Sequence, residues 1–246
     1  MDDQLWAQAG YAVRCEWGPV GAARVASAGG AVVVVDVLSF TTSVSVAVER
    51  GTVVYPAAWR DSRAADLAAA EEAALAVGRR EVTAEHPWSL SPAALLRAPA
   101  PERLVLPSPN GSAIAAAASG AVVAACLRNA PAVARWLVAS GYGTEATPVA
   151  VVPAGERWPD GTLRPALEDA LGAGAVIAAL ADLGCVSSSP EAAALRALHS
   201  GTADVAAAVR ACGSGDELRR HGFGDDVEIA VQMGVSDVVP VLDGRR

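Results

Sequence analysis

The sequence is poor in aromatic residues, in histidines and in positive charge. Phe, Trp and Tyr make up 4% of its 246 residues, and 19 Lys and Arg residues stand against 27 Asp and Glu residues, for a net charge of −8. Because nucleic-acid binding needs a basic surface, we expect no nucleic acid partner. The three histidines, His86, His199 and His221, are far apart in the sequence and do not have the spacing of metal ligands.

Cysteines are few and scattered, and we find no signal for secretion or membrane insertion. Cys15, Cys126, Cys185 and Cys212 form no C-x-x-C pair, so their spacing predicts neither a zinc site nor a disulfide framework. We interpret them as small buried residues in a reducing compartment. Residues 1–4 do not have the pattern of a signal peptide, and charged residues interrupt each apolar run. We therefore expect a cytoplasmic protein with no membrane partner.

Several motifs of nucleotide-binding proteins and hydrolases are also absent. The chain has no G-x-x-x-x-G-K-[ST] loop, no G-x-G-x-x-G after a predicted strand and no G-x-S-x-G turn. The segment Asp36-Val37-Leu38 differs from the motif of the aspartyl-phosphate phosphatases, because Leu38 stands where those enzymes place a second Asp. Their general acid is missing, and we set that mechanism aside.

The sequence is rich in Ala and Val, and its apolar runs alternate with helical patterns. Repeated strand–loop–helix units predict an α/β protein with three α/β/α layers and a largely parallel sheet. The length and the 52% of hydrophobic residues suit a single domain over residues 1–246. Besides a strand at residues 32–38, we predict strands at 52–55, 81–83, 103–106, 121–126, 148–152, 227–231 and 238–242. We also predict a long helix from Asp61 or Ser62 to Val77, and a helix with Pro165 in its first turn.

The predicted strand at residues 32–38 contains an acidic residue, Asp36. The valines around it indicate a strand buried on both faces, where a carboxylate is costly to ionise without a cation or several donors. The hydroxyl-rich residues 39–43 are typical of a helix start, which attracts anions. Together these features indicate a metal and a phosphate or similar oxyanion. A buried Asp36 that merely caps the next helix is an equally open alternative.

A second polar loop, at residues 108–112, also follows a predicted strand. In open α/β sheets, ligands bind at the carboxyl ends of the strands, where this loop is expected. The pair Asn110-Gly111 allows a positive φ and presents backbone N–H groups that suit an oxyanion. The alternative is an ordinary Asn-Gly turn.

A third loop, at residues 155–161, precedes two adjacent carboxylates, Glu168 and Asp169. Such pairs early in a helix usually lie in solvent, where they interact favourably with the helix dipole. The residues around this pair are nearly all apolar, however, which predicts burial and makes a hard cation plausible. Arg157, within the loop, is either a phosphate ligand or a solvated residue.

As a set, these motifs resemble the 2-phosphosulfolactate phosphatase family. The matching segments, spread over about residues 15–180, are Val34-Val35-Asp36-Val37-Leu38 with Phe40-Thr41-Thr42, Pro109-Asn110-Gly111-Ser112, Leu127-Arg128-Asn129-Ala130, and Ala154-Gly155 with Leu167-Glu168-Asp169 and Gly172-Ala173-Gly174. The resemblance implies the α/β fold of that family and a homodimer or larger oligomer. It also implies Mg²⁺-dependent cleavage of a phosphate monoester from a small acid, an activity first associated with coenzyme M biosynthesis.

The resemblance, together with the loops described above, gives a set of expected site residues. Asp36, Glu168 and Asp169 would hold Mg²⁺. The groups expected to bind the substrate are those of Thr41, Thr42, Asn110, Gly111, Ser112 and Asn129. Asp36, Glu85, Arg128 and Arg157 form the expected catalytic set, in which the arginines add charge. Two alternatives stay open: either water or Asp36 attacks phosphorus, and the protein either hydrolyses its ligand or binds a small anion without turnover.

Two departures from the family pattern bear on the substrate. The family usually has an Arg in its first motif where this chain has Ser39. Its Gly-Glu-Arg segment and the following Asn-Ser-Pro appear here as Glu85-His86 and Leu90-Ser91-Pro92, and we expect Glu85 and His86 at the pocket mouth. With fewer fixed cations, the pocket should accept a less highly charged phosphomonoester at least as well as 2-phosphosulfolactate.

Overall fold

The strands of the structure follow the valine-rich runs of the sequence. The computed structural model describes residues 5–58, 61–118 and 120–242, so the predicted domain of residues 1–246 extends at both ends beyond the described residues. The strands are β1 (Val13–Cys15), β2 (Ala31–Val35), β3 (Val53–Ala57), β4 (Ala74–Leu75), β5 (Arg103–Pro107), β6 (Ala121–Ala125), β7 (Val149–Pro153), β8 (Glu156–Arg157), β9 (Leu163–Arg164) and β10 (Val241–Leu242).

Alanine-rich segments between the strands form most of the helices, in keeping with the high helix propensity of alanine. A 3₁₀ helix at Leu5–Ala7 comes first. The α-helices are α1 (Gly18–Val25), α2 (Phe40–Glu49), α3 (Ser62–Ala70), α4 (Pro92–Arg97), α5 (Gly111–Ala117), α6 (Ala130–Ala139), α7 (Leu167–Asp182), α8 (Pro190–Gly201), α9 (Val205–Ala211), α10 (Gly213–Arg220) and α11 (Gly224–Ala230). In the described part of the chain, every helix is too short or too polar to cross a membrane.

The main sheet has β2 at its centre. Within the described residues its strand order is β1-β7-β2-β6-β10; the first four strands run parallel, and β10 pairs antiparallel with β6. Val33 and Val35 of β2 pack with residues of α6 and α7. Val32 and Val34 point to the opposite face and pack with residues of α1 and α5. The predicted α/β/α layers and largely parallel sheet are therefore confirmed.

A second, smaller sheet is connected to the main one through α2. Its described strands have the order β3-β5-β4 and run parallel. Phe40 and Val46 of α2 pack with Leu104 and Leu106 of β5 in a separate apolar cluster. Pro56 lies inside β3 rather than closing it, because β3 is an edge strand and a proline there costs no ladder hydrogen bond. The start of α2 is thereby fixed between two sheets.

Two predictions in the region of the second sheet are wrong. Helix α3 ends at Ala70 and not at Val77, and Glu72 just beyond it has a φ of 50°, in the left-handed region. The alanine-rich sequence favours a longer helix, but the pairing of β4 with β5 overrides this local propensity. Residues 81–83 form a loop rather than a strand.

Three predictions in the C-terminal half also need correction. Residues 227–231 belong mostly to α11 and are not a strand, because so short an apolar run does not distinguish a helix from a strand. Pro165 precedes α7, which begins at Leu167, and therefore does not lie in its first turn. Of residues 238–242, only β10 is a strand.

Candidate active site

Asp36 follows directly after β2, at the carboxyl edge of the main sheet. It is 6% exposed, and its two oxygens accept hydrogen bonds from two different helix starts. The backbone N–H of Phe40, the first residue of α2, donates to Oδ1 at 3.1 Å. The backbone N–H of Gly111, the first residue of α5, donates to Oδ2 at 3.0 Å. The carboxylate is thus placed where two helix dipoles favour negative charge.

The short distance between α5 and Asp36 depends on Gly111. A Cβ atom at this position would lie 2.4 Å from Cδ1 of Phe40 and 2.9 Å from Oδ2 of Asp36. Only a residue without a side chain lets the backbone come this close. The Asn110-Gly111 pair is therefore more than an ordinary turn: it brings an N–H group onto the buried carboxylate.

Asp169 connects α7 to the same edge of the sheet. Its Oδ1 accepts the backbone N–H of Val37 at 2.7 Å, and its Oδ2 accepts that of Gly155 at 2.8 Å. Gly155 has a φ of +67°, a conformation that glycine adopts without strain. The predicted burial of Asp169 is confirmed, at 3% exposed.

Two glutamates complete an acidic cluster, which we define as Asp36, Glu156, Glu168 and Asp169. Glu168 is 2% exposed, and Sγ of Cys212 donates to its Oε2 at 3.2 Å. Glu156 lies in β8, and Nδ2 of Asn110 donates to its Oε2 at 3.1 Å. Sequence reasoning did not identify Glu156, because a glutamate in a polar loop has no distinguishing pattern.

Three carboxyls of the acidic cluster, those of Asp36, Glu156 and Asp169, hold their protons more tightly than usual. Burial raises the pKa of Asp36 to about 6, against the opposing effect of its backbone hydrogen bonds. Burial and the charges of Asp36 and Glu168 raise the pKa of Glu156 to about 7. The same causes raise the pKa of Asp169 well above its usual range. The cluster therefore favours protons or a cation at neutral pH.

Two arginines that sequence reasoning missed approach this cluster. Nη2 of Arg79, in the loop after β4, donates to Oγ of Ser39 at 2.7 Å, and its charge lowers the pKa of Asp36. Arg164, in β9, donates from Nη2 to Oγ of Ser214 at 3.1 Å, and its charge lowers the pKa of Glu156. The contact of Arg79 spans 40 residues of sequence, so no local pattern could have predicted it.

Four side chains that are expected to bind substrate form hydrogen bonds with backbone groups instead: those of Thr41, Thr42, Ser112 and Asn129. The Thr41 hydroxyl donates to the carbonyl of Asp36, and the Thr42 hydroxyl donates to that of Val37, both at 2.8 Å. The Ser112 hydroxyl donates to the carbonyl oxygens of residues 57 and 108. The Asn129 side chain accepts the N–H of residue 126 and donates to the carbonyls of residues 124 and 238. All four side chains therefore stabilise the backbone conformation around them.

The expected charged residues also lie elsewhere. Arg128 is buried and pairs with Glu49 at 3.0 Å and with Gln232. Arg157 is exposed in the β8–β9 hairpin and donates to a backbone carbonyl of that hairpin at 2.9 Å. Glu85 is on the surface of its loop, where its own backbone N–H and the Thr83 side chain lower its pKa. The contacts described for Arg128, Arg157 and Glu85 thus lie outside the acidic cluster, and His86, beside Glu85, is exposed.

The residues of the acidic cluster fit a hard cation by their chemistry. All of them offer carboxylate oxygens, the ligands that Mg²⁺ prefers, and an oxygen that accepts one N–H can still accept another partner. In the described ranges of the chain, no three His, Cys, Asp or Glu side chains are arranged as a ready metal site. Mg²⁺ is usually held by one or two carboxylates, waters and substrate phosphate, so such a cage is not required.

Comparison with known proteins adds one finding to this geometry. A family model described as 2-phosphosulpholactate phosphatase matches residues 22–245, nearly the whole chain. The match includes every residue of the acidic cluster and both arginines beside it. No protein among the curated sequences matches the chain.

Proposed function

Since this chain belongs to the 2-phosphosulpholactate phosphatase family and is a phosphoric monoester hydrolase, we propose that it hydrolyses a small phosphorylated hydroxy acid with the help of Mg²⁺. 2-Phosphosulfolactate is the substrate that the family membership favours. The observation that carries the proposal is the acidic cluster at the carboxyl edge of the sheet, in which Asp36 is buried against the starts of α2 and α5. This is where open α/β sheets bind their ligands.

In the proposed mechanism Asp36, Glu168 and Asp169 hold the metal. Bound Mg²⁺ would neutralise charge on the phosphoryl group and lower the pKa of a bound water. The protein keeps Asp36 and Asp169 in place through the backbone N–H groups of both helix starts and of the loop after β7. Asn110 donates to Oε2 of Glu156, which leaves Oε1 as the oxygen that carries the proton when Glu156 is protonated.

Arg79 changes the expectation about the substrate. The preference for a less highly charged phosphomonoester rested on Ser39, where the family usually has an arginine, and on His86. The guanidinium of Arg79 reaches Ser39 from a different loop, so a cation is present beside this position after all. His86 is exposed and gives no information about the pocket. We therefore propose a phosphorylated acid with two or three anionic groups as the substrate, without a preference for the less highly charged compound.

Phosphate release from a panel of phosphomonoesters tests this function. We expect turnover of 2-phosphosulfolactate, phospholactate or phosphoglycolate in the presence of Mg²⁺ and its loss when EDTA removes the metal. Turnover that is unaffected by EDTA would contradict the role of the metal. Binding of these compounds without phosphate release would favour the alternative, a protein that binds small anions without hydrolysing them.

We further propose that the protein works in the cytoplasm as a homodimer, as the family resemblance implies. Apolar side chains are exposed around the β8–β9 hairpin: Trp158 is 52% exposed, Leu163 38% and Leu167 42%. A second copy of the chain would bury such surface. Sedimentation equilibrium measures the mass directly, and a mass near 24.8 kDa at micromolar concentration would contradict the dimer.

A further inference from the structure

We propose that Arg79 binds the phosphoryl group of the substrate and that Asp226 is the residue that positions its guanidinium. The proposal rests on the phosphatase function above and identifies a residue that the family motifs quoted for this chain do not include. It follows from the contacts of Arg79, from the burial of Asp226 and from the place of Ser39 close to Asp36 in the chain.

The side chain of Arg79 is fixed in direction by contacts from distant parts of the chain. Its Nε donates to Oδ2 of Asp226, in α11, at 3.1 Å. Its Nη2 donates to Oγ of Ser39, just before α2, at 2.7 Å. The guanidinium also lies 5.7 Å from the ring centre of Phe223. A guanidinium has five N–H donors, and these bonds use two of them.

The carboxylate of Asp226 is itself fixed by several hydrogen bonds, so it can orient the guanidinium of Arg79. The carboxylate is 1% exposed, and its second oxygen, Oδ1, accepts the hydroxyl of Ser91 and the backbone N–H of Ala93. A buried carboxylate held by this many donors cannot swing away. Arg79 is therefore oriented before any ligand arrives, which reduces the entropy lost on binding.

The position of Arg79 favours the phosphoryl group over the acid group of the substrate. Its Nη2 donates to Oγ of Ser39, three residues after Asp36, the carboxylate proposed to hold the metal that meets the phosphate. The side chain is 19% exposed, so it remains open to contact with a ligand. A guanidinium binds phosphate oxygens in pairs, which suits this task. The other approaching arginine, Arg164, acts on Glu156 instead.

Calorimetric titration with inorganic phosphate in the presence of Mg²⁺ tests the proposal without needing turnover. For Arg79→Gln we expect a Kd ten- to a hundredfold higher than that of the unaltered protein, from loss of a charge-assisted contact. Arg80→Gln is the matched control, since it removes the same charge from the exposed neighbouring residue, and it should leave the Kd nearly unchanged. Circular dichroism checks that both variants are folded. A folded Arg79→Gln protein that binds phosphate normally would overturn the proposal.

A double variant separates positioning by Asp226 from a general structural role. If Asp226 acts through Arg79, Asp226→Asn should weaken phosphate binding in the unaltered background. It should then cause little further loss in the Arg79→Gln background. Equal losses in both backgrounds would show that Asp226 acts independently of Arg79 and would refute the positioning role.

A second probe distinguishes the two anionic groups of the substrate. Sulfoacetate carries a sulfonate and a carboxylate but no phosphate. In the same titration, Arg79→Gln should change the Kd for sulfoacetate little. A loss confined to sulfoacetate would assign Arg79 to the acid group and overturn the assignment to the phosphoryl group. If the unaltered protein binds phosphate through Arg79 but hydrolyses no phosphomonoester, the proposed function fails while this inference holds.

Discussion

At the scale of single residues, Asp36 combines a high cost of ionisation with two fixed donors. Each of its oxygens accepts one backbone N–H, and Glu168 nearby raises its pKa further. An uncharged side chain of the same shape would remove the repulsion and also the negative charge that a metal needs. A substitution of Asp36 therefore shows whether its carboxylate is needed for folding or for catalysis.

For Asp36→Asn we predict a folded protein that has lost Mg²⁺-dependent phosphatase activity by on the order of a hundredfold or more. The amide loses one of two hydrogen bonds, at about 1–3 kcal/mol, but relief of charge repulsion offsets part of this cost above pH 7. Asp182→Asn, at an exposed position at the end of α7, is the control. An unfolded Asp36→Asn protein would instead indicate that Asp36 is mainly a structural cap.

The sequence predicted the acidic residues of this site better than its polar and basic ones. Asp36, Glu168 and Asp169 were recognisable because carboxylates in apolar runs are unusual and demand an explanation. Hydroxyl groups carry no such signal, since Thr41 and Thr42 can face a ligand or the backbone with the same sequence around them. Arg79 contacts residues that are far away in the sequence, and no local pattern of residues indicates such contacts.

At the scale of elements, the site depends on how closely α5 approaches the end of β2. The backbone N–H of Gly111 reaches Asp36 only because position 111 has no side chain. Strand and helix patterns predicted both elements, but not the distance between them. The wrongly predicted segments, such as residues 81–83 and 227–231, are short runs whose structure is decided by partners elsewhere in the chain.

For Gly111→Ala we predict a loss of stability of about 1–3 kcal/mol together with a loss of activity, because the added Cβ would overlap Phe40 and Asp36. Urea denaturation measures the free energy of unfolding of the variant. Gly201→Ala is the matched control, since a Cβ there meets nothing within 4 Å. Wild-type stability and activity in Gly111→Ala would show that α5 can move away from Asp36 freely.

At the scale of the whole molecule, the acidic cluster links stability to pH. The carboxyls of Asp36 and Glu156 have raised pKa values of about 6 and about 7, against 3.8 and 4.5 for the ordinary groups. The folded protein therefore binds these protons more tightly than the unfolded chain does. Their contribution to stability is fully present below about pH 4 and is lost as the pH rises through 6 to 7.

We predict that the melting temperature of the metal-free protein falls between pH 5 and pH 8 and that Glu156→Gln reduces this fall. Saturating Mg²⁺ should restore stability at pH 8, by about 2.7 kcal/mol at a hundredfold excess over Kd, and should do little at pH 5. Scanning calorimetry with and without the metal measures both effects. A melting temperature that rises with pH, or an equal effect of Mg²⁺ at both values, would contradict this linkage.

The contacts at the carboxyl edge of the sheet join residues that are far apart in the sequence, and this determines when the pocket forms. Val37 meets Asp169 across 132 residues of chain, and Arg79 meets Asp226 across 147. Contacts of such high sequence separation close long loops, which costs chain entropy and slows folding. During synthesis, β2 and α2 leave the ribosome well before α7 and α11, so the growing chain carries Asp36 without the partners of its pocket. The proposed phosphate site is complete only when the C-terminal helices have joined the fold.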